Sequence, residues 1–98
     1  MLGRTLAAAI GAVSIAAAVV SAEPPAGAAA CSGCHALSPR VTSPVPRLIG
    51  VEQGAIVRAL LEFRSGQRAA TVMDRIAKGF TDDEIQALAA WFATQRSP

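Results

Sequence analysis

Apolar residues recur at helical spacing in two stretches of the chain. In residues 51–65 they form a stripe on one side, charged residues including Arg64 occupy the other, and Gly66 follows as a stop signal. From Thr81 onward, the letters TDDE form a capping box in which Glu84 is the third helical residue, ahead of a second apolar stripe. The pattern predicts two amphipathic helices.

Shorter helical segments are predicted around these two. The alanines before residue 31 can form a turn or two of helix, and residues 74–78 can form one short turn that ends at Gly79. Residues 36–50 contain three prolines, which break helices, and are therefore predicted to form an extended loop. Strand-like alternation is absent. We predict an all-α domain with three main helices and one long loop.

The beginning of the chain has a different composition. Arg4 is followed by an uncharged, alanine-rich run at residues 6–20, which is shorter than the roughly 20 apolar residues that span a bilayer. This layout is typical of a secretory signal peptide, and an uncleaved anchor is the alternative. We expect residues 1–22 to be a signal peptide cleaved after Ala22. Residues 23–98 would then be one periplasmic domain without stable membrane insertion.

The charges of this domain nearly balance. Without Arg4, eight basic residues face seven acidic ones, so no nucleic-acid partner is indicated. A domain of this size buries only a marginal fraction of its surface, and it usually needs a disulfide, a metal or a cofactor to fold stably.

Both cysteines and the single histidine of the chain lie in the five-residue motif CSGCH. A thioredoxin-like dithiol would need a β-α-β pattern, and a structural zinc site would need a fourth ligand. A plain disulfide would leave His35 unexplained. C-x-x-C-H is the signal for covalent haem c attachment, because its helical spacing puts both sulfurs on one side. We predict one haem, bound through Cys31 and Cys34, with His35 as an axial ligand of its iron.

The other axial ligand can be predicted from composition. Beyond residue 22, Met73 is the only methionine and no second histidine exists. Coordination by His and Met suits an electron-transfer haem. An open sixth position is the alternative, and it would suit a peroxide-reducing or gas-binding haem protein. We also expect the Pro46 carbonyl to accept a hydrogen bond from His35, and Leu48 to press on the haem edge.

Taken in order, these features resemble a class I c-type cytochrome. The resemblance covers the whole of residues 23–98 and includes CSGCH, the proline-containing loop, Met73 and a last helix with the letters LAAWFA. It implies a small all-α fold around the haem, in which the C-terminal helix crosses the N-terminal one.

Two longer stretches, LIGVEQGAIVRALLEFRSGQR and VMDRIAKGFTDDEIQALAAWFATQ, resemble the haem domains of the cytochrome subunit of flavocytochrome c sulfide dehydrogenase. This likeness implies an electron-transfer protein, not itself an enzyme, that accepts single electrons from an FAD-containing sulfide dehydrogenase subunit. A free soluble carrier that serves other respiratory complexes is the alternative.

Overall fold

The structure, a computed structural model, describes residues 2–14 and 23–96. Residues 2–14 form neither helix nor strand, and their large apolar side chains, such as Leu2 and Leu6, are almost fully exposed. This segment therefore takes no part in the core. The rest of the predicted signal peptide, including its cleavage site, lies outside the described residues.

Among the residues that the structure describes, none of the helices is both long enough and apolar enough to cross a membrane.

Four helices and no strand make up the described part of the chain, which confirms the all-α prediction. Two are long and two are single short turns: α1 (Ala28–Ser32), α2 (Gln53–Ser65), α3 (Met73–Ala77) and α4 (Asp82–Thr94). The first of the three main helices that we predicted is thus only five residues long. As predicted, residues 36–50 contain no helix.

Helix α4 begins as the capping box predicts. The Thr81 hydroxyl accepts a hydrogen bond from the Glu84 N–H at 3.2 Å, and the Glu84 carboxylate accepts one from the Thr81 N–H at 3.0 Å. Two backbone donors that the first turn would leave unpaired are thereby satisfied.

Helix α2 begins two residues later than its apolar stripe suggests. The Glu52 carboxylate accepts hydrogen bonds from the N–H groups of Gly54 and Ala55 at 2.8 and 2.9 Å, so Glu52 is the N-cap and the helix starts after it. The helix ends at Gly66, which has a φ of 82°.

The prediction that Arg64 lies on the outer face of α2 is wrong. Its guanidinium donates to the Phe80 carbonyl at 3.4 Å and forms an ion pair with Asp82. Arg64 therefore ties the end of α2 to the start of α4. The helical stripe could not reveal this, since both partners lie more than 15 residues away in the sequence.

The core lies between α2 and its neighbours. Helix α2 packs against both α3 and α4. One buried cluster joins residues of α1, α2 and α4: Ala28, Ile56, Leu88, Ala89 and Phe92. The first and last helices thus contribute to the same cluster, as expected if they cross. Trp91 packs at its edge, with its ring in an edge-to-face arrangement 4.8 Å from that of Phe92.

Gly27, just before α1, lies directly against an aromatic ring. Its φ is 90°, and a Cβ atom at this position would lie 2.6 Å from a ring carbon of Phe80. Glycine is required here twice, for its left-handed backbone and for the close approach. This contact joins the N-terminal lead-in to the segment between α3 and α4.

Gly27→Ala is expected to destabilise the folded domain more than Gly50→Ala. Gly50 also has a positive φ, 74°, but a Cβ atom there would meet open space. The free energy of unfolding should fall by about 1–2 kcal/mol in both variants, because alanine is strained in the left-handed conformation. In Gly27→Ala it should fall by about 1 kcal/mol more, because Phe80 must move. Denaturant unfolding measures both losses, and equal losses would contradict the contact with Phe80.

The capping box predicts an acid-dependent loss of stability. The hydrogen bonds from the Thr81 N–H and hydroxyl lower the pKa of the Glu84 carboxyl. Since its pKa is lower in the folded than in the unfolded chain, Glu84 stabilises the fold above its unfolded pKa. This contribution is lost as the pH falls through the folded pKa.

Glu84→Gln should therefore reduce stability at pH of about 7, but should flatten the decline in unfolding free energy towards pH of about 3. Glu23→Gln is the control, because Glu23 is exposed and precedes the helices. A decline as steep in Glu84→Gln as in the control would show that the cap does not titrate in this way.

Candidate functional site

The CSGCH motif spans the end of α1 and the turn after it. Cys31 lies in the helix, and its carbonyl accepts hydrogen bonds from the N–H groups of Cys34 and His35 at 3.2 and 2.8 Å. The turn therefore fixes the backbone of both cysteines and the histidine together. The two thiols are not bridged: Cys31 is partly buried against the core, and Cys34 is exposed.

Burial raises the pKa of the Cys31 thiol, although a backbone hydrogen bond opposes the shift. A dithiol oxidoreductase needs the opposite, a nucleophilic cysteine whose pKa is lowered. The environment of Cys31 does not favour redox dithiol chemistry.

His35 is the only buried polar residue among those that the structure describes. Its Nδ1 atom lies 2.5 Å from the carbonyl oxygen of Pro46. A carbonyl can only accept, so Nδ1 carries a proton and donates, and in the neutral imidazole the free lone pair then lies on Nε2. This hydrogen bond connects two predicted site residues, His35 and Pro46, that are 11 residues apart in the sequence.

Leu48 and Met73 are placed by the helical core. Leu48 is partly buried and packs against the cluster of α1, α2 and α4. Met73 is the first residue of α3 and is half-buried, and Ala77, one turn later, is fully buried. Residues four apart share a helix face, so Met73 lies on the inward face of α3. That Leu48 presses on a haem and that Met73 binds iron stay predictions.

Asp74, beside Met73, is a residue that the sequence did not single out. Its Oδ1 atom is buried and has no hydrogen-bond partner within the described chain. Helix α3, which carries Asp74, packs against α2, and the local sequence contains no signal for that packing.

A zinc site is not supported by the arrangement of side chains. Within residues 2–14 and 23–96, no group of three or more His, Cys, Asp or Glu side chains is gathered in a way that could hold a metal ion.

Comparison with known proteins identifies relatives, although no protein-family model matches the chain. Over 62 residues, 63% of the chain, it is 40% identical to the cytochrome subunit of sulfide dehydrogenase of Chlorobaculum tepidum. It is 35% identical over 65 residues to cytochrome c-552 of Acidithiobacillus ferridurans, and 34% identical over 73 residues to the thiosulfate dehydrogenase electron acceptor of Stutzerimonas stutzeri.

The chain is a relative of c-type cytochromes. The resemblance to the cytochrome subunit of sulfide dehydrogenase, inferred above from the sequence, is thereby confirmed. The chain matches 56%, 28% and 34% of the lengths of the three relatives, so it corresponds to only part of each of them.

Cytochromes are haem proteins, and the residues of this cytochrome relative fit a haem. Four apolar side chains that flank His35 or Met73 in the sequence are between 38% and 54% exposed: Leu37, Val41, Val72 and Ile76. A large flat apolar group beside the motif is what would cover such side chains. The two unbridged thiols could form the thioether bonds of haem c, and Nε2 of the buried His35 could bind its iron.

A more flexible backbone at position 46 should weaken the hydrogen bond between His35 Nδ1 and the carbonyl of that residue. In the haem-loaded protein, Pro46→Gly should speed exchange of the His35 Nδ1 proton by about fivefold, because the contact is worth about 1 kcal/mol. Pro44→Gly, in the same loop, is the control and should change the rate less than about twofold. NMR of the imidazole proton measures both rates, and equal acceleration would mean that Pro46 does not hold His35.

Proposed function

We propose that residues 23–98 form a monohaem c-type cytochrome domain that carries single electrons between proteins in the periplasm. The observation that carries the proposal is the hydrogen bond from His35 Nδ1 to the Pro46 carbonyl within a C-x-x-C-H motif. In this proposal residues 1–22 are the signal peptide that exports the domain. The names of the relatives, which include a cytochrome subunit and an electron acceptor, support a carrier over a catalyst.

Each site residue has one role in the proposal. Cys31 and Cys34 hold one haem through thioether bonds, and His35 presents Nε2 to its iron while Pro46 fixes the orientation of the imidazole. Met73 would bind the same iron from the start of α3, and Leu48 would cover the haem edge. The bound haem supplies a reversible one-electron couple, and the chain holds it in a fixed ligand field.

The polypeptide contributes rigidity to electron transfer. A carrier works fastest when its ligands move little between oxidation states. Here Pro46 restrains His35, and α3 is held against α2. The thioether of Met73 is a soft ligand that raises the haem potential, which suits an electron acceptor.

We further propose that the electron donor is an FAD-containing sulfide dehydrogenase subunit. The support is the relative from Chlorobaculum tepidum, whose name states that it is the cytochrome subunit of sulfide dehydrogenase. A free carrier that serves other respiratory complexes is the alternative for the same haem chemistry.

Met73→Ala should open the sixth coordination position. The haem-loaded wild-type protein is expected not to bind carbon monoxide at neutral pH, whereas Met73→Ala should bind it readily. Arg75→Ala is the matched control, since Arg75 lies on the same short helix but is exposed. Difference optical spectra measure binding. Equally ready binding by the wild type would favour the gas-binding or peroxide-reducing alternative.

Purification of the native protein tests the choice of donor. A cytochrome subunit should co-elute with a flavin-containing polypeptide in gel filtration, and sulfide should reduce its haem in that fraction. Elution alone, at about its own mass and without flavin, would contradict the subunit proposal. The proposal of a free carrier would then stand if the haem of the protein purified alone still accepted electrons.

A further inference from the structure

Residues 69–80, which we call the Met73 segment, make few hydrogen bonds to the rest of the fold. Residues 69–72 are exposed. The backbone hydrogen bonds of the turns that follow stay inside the segment, as does the bond from the Gly79 N–H to the Ile76 carbonyl at 3.0 Å. The position of the segment therefore depends on its tertiary contacts.

Arg64 makes the polar contact between this segment and another helix. In the last turn of α2, its guanidinium donates to the Phe80 carbonyl at 3.4 Å and pairs with Asp82 at the start of α4. Across the described part of the chain, no other hydrogen bond joins the Met73 segment to a different helix. Arg64 therefore holds the end of the segment that follows α3.

The shape of the guanidinium suits it to this double contact. The Arg64 side chain is 32% exposed and that of Asp82 is 78% exposed, so the arginine lies largely inside the junction of α2 and α4. A guanidinium is planar and presents its N–H groups in a fixed fork. The nitrogen that pairs with Asp82 thus sets the direction of the nitrogen that reaches Phe80.

Apolar packing within the chain gives the segment a limited hold. Ala77 is fully buried but small, and Phe80 packs at the edge of the core cluster. The other large apolar side chains of the segment, including that of Met73, are at least partly exposed. Helix α3 has only five residues, and a helix this short is unstable away from its neighbours. Local opening of the segment, with the core intact, is therefore the motion that the Arg64 contact opposes.

We propose that Arg64 is a positioning residue for the iron ligand, because its hold on the end of the Met73 segment keeps the thioether at the haem iron. The inference rests on the proposed function, since Met73 has this role only in a haem-loaded carrier. Arg64 acts through the segment and not on the iron. A segment held in this way keeps the sixth coordination position closed, as a carrier requires.

The test measures how fast added imidazole replaces Met73 in the oxidised, haem-loaded protein. Stopped-flow absorbance follows the loss of the sulfur-to-iron charge-transfer band. Arg64→Gln removes the charge and the fork, whereas Arg64→Lys keeps only the charge. Arg58→Gln is the matched control, because Arg58 is an exposed arginine of the same helix whose side chain forms no ion pair within the described residues.

At saturating imidazole, the replacement rate equals the rate at which Met73 leaves. Arg64→Gln should raise this rate about fivefold, since a partly exposed, charged hydrogen bond adds only modestly to the stability of the closed segment. Arg64→Lys should give an intermediate rate, because an ammonium group cannot hold both partners in the same fork. The Arg58→Gln control should change the rate less than about twofold.

Gly50→Ala separates local opening from a general loss of stability. It strains a left-handed residue outside the segment, and opening of the segment does not relieve that strain. Gly50→Ala should therefore lower the free energy of unfolding and leave the imidazole rate at the wild-type value. A purely structural Arg64 would behave in the same way as Gly50→Ala when it is replaced by glutamine.

Amide hydrogen exchange gives a second readout, which does not depend on the haem. In the protein as purified, the amides of Ile76 and Gly79, which are hydrogen-bonded within the segment, should exchange about fivefold faster in Arg64→Gln than in the wild type. In Gly50→Ala their exchange should not change, since they are exposed by local opening and not by global unfolding.

An imidazole rate in Arg64→Gln no higher than in Arg58→Gln would overturn the inference. Equal acceleration of the segment amides by Arg64→Gln and Gly50→Ala would also overturn it, because the segment would then open only when the whole domain unfolds. A purified wild-type protein without the charge-transfer band would contradict the proposed function itself. The exchange rates would still show whether Arg64 holds the segment.

Discussion

The hydrogen bond from His35 Nδ1 to the Pro46 carbonyl holds together the part of the molecule that has no long helix. Residues 36–50 cannot satisfy their own backbone as a helix would, because three prolines interrupt them. The loop is instead fixed at two points in its last five residues. Pro46 accepts from His35, and the Gly50 N–H donates to the Phe92 carbonyl near the end of α4 at 3.1 Å. The orientation of the imidazole therefore depends on the position of this loop.

The second constraint is the small size of the core. Seven apolar residues are buried in the described part of the chain, and three of these are alanines. At about 25 cal/mol per Å², such a core gives little excess over the conformational entropy lost on folding. In the proposed holoprotein, the haem is a large apolar body that would extend the core towards Leu37 and Val41. The cofactor would then be both the functional group and a part of the folded interior.

Local sequence signals predicted the features that depend on neighbouring residues. The capping box at Thr81, the stop at Gly66 and the prolines of the loop act within a few residues, and the structure has all of them. The partnership of Pro46 with His35 was also anticipated, because an iron-bound histidine usually donates its other N–H to a carbonyl or carboxylate and the proline-containing loop was expected to pass beside it.

Contacts between distant segments were not predictable in this way. The approach of Gly27 to Phe80 and the reach of Arg64 to Asp82 join segments that are far apart in the sequence, and neither has a local signature. Glu52 was missed as the N-cap of α2 because the apolar stripe extends back to Val51 and therefore suggests an earlier start. The Glu52 carboxylate caps the helix, so α2 begins only at Gln53. The first kind of error arises where tertiary contacts decide, whereas the Glu52 cap is a local contact with the next few residues.

In the proposed function, His35 and Met73 hold one haem iron in a carrier with no open coordination position. The near-infrared spectrum of the oxidised, haem-loaded protein tests it most directly, because a thioether bound to ferric iron gives a sulfur-to-iron charge-transfer band. We predict this band at neutral pH, together with the spectrum of a six-coordinate, low-spin haem. Absence of the band, with a high-spin ferric spectrum, would contradict the account.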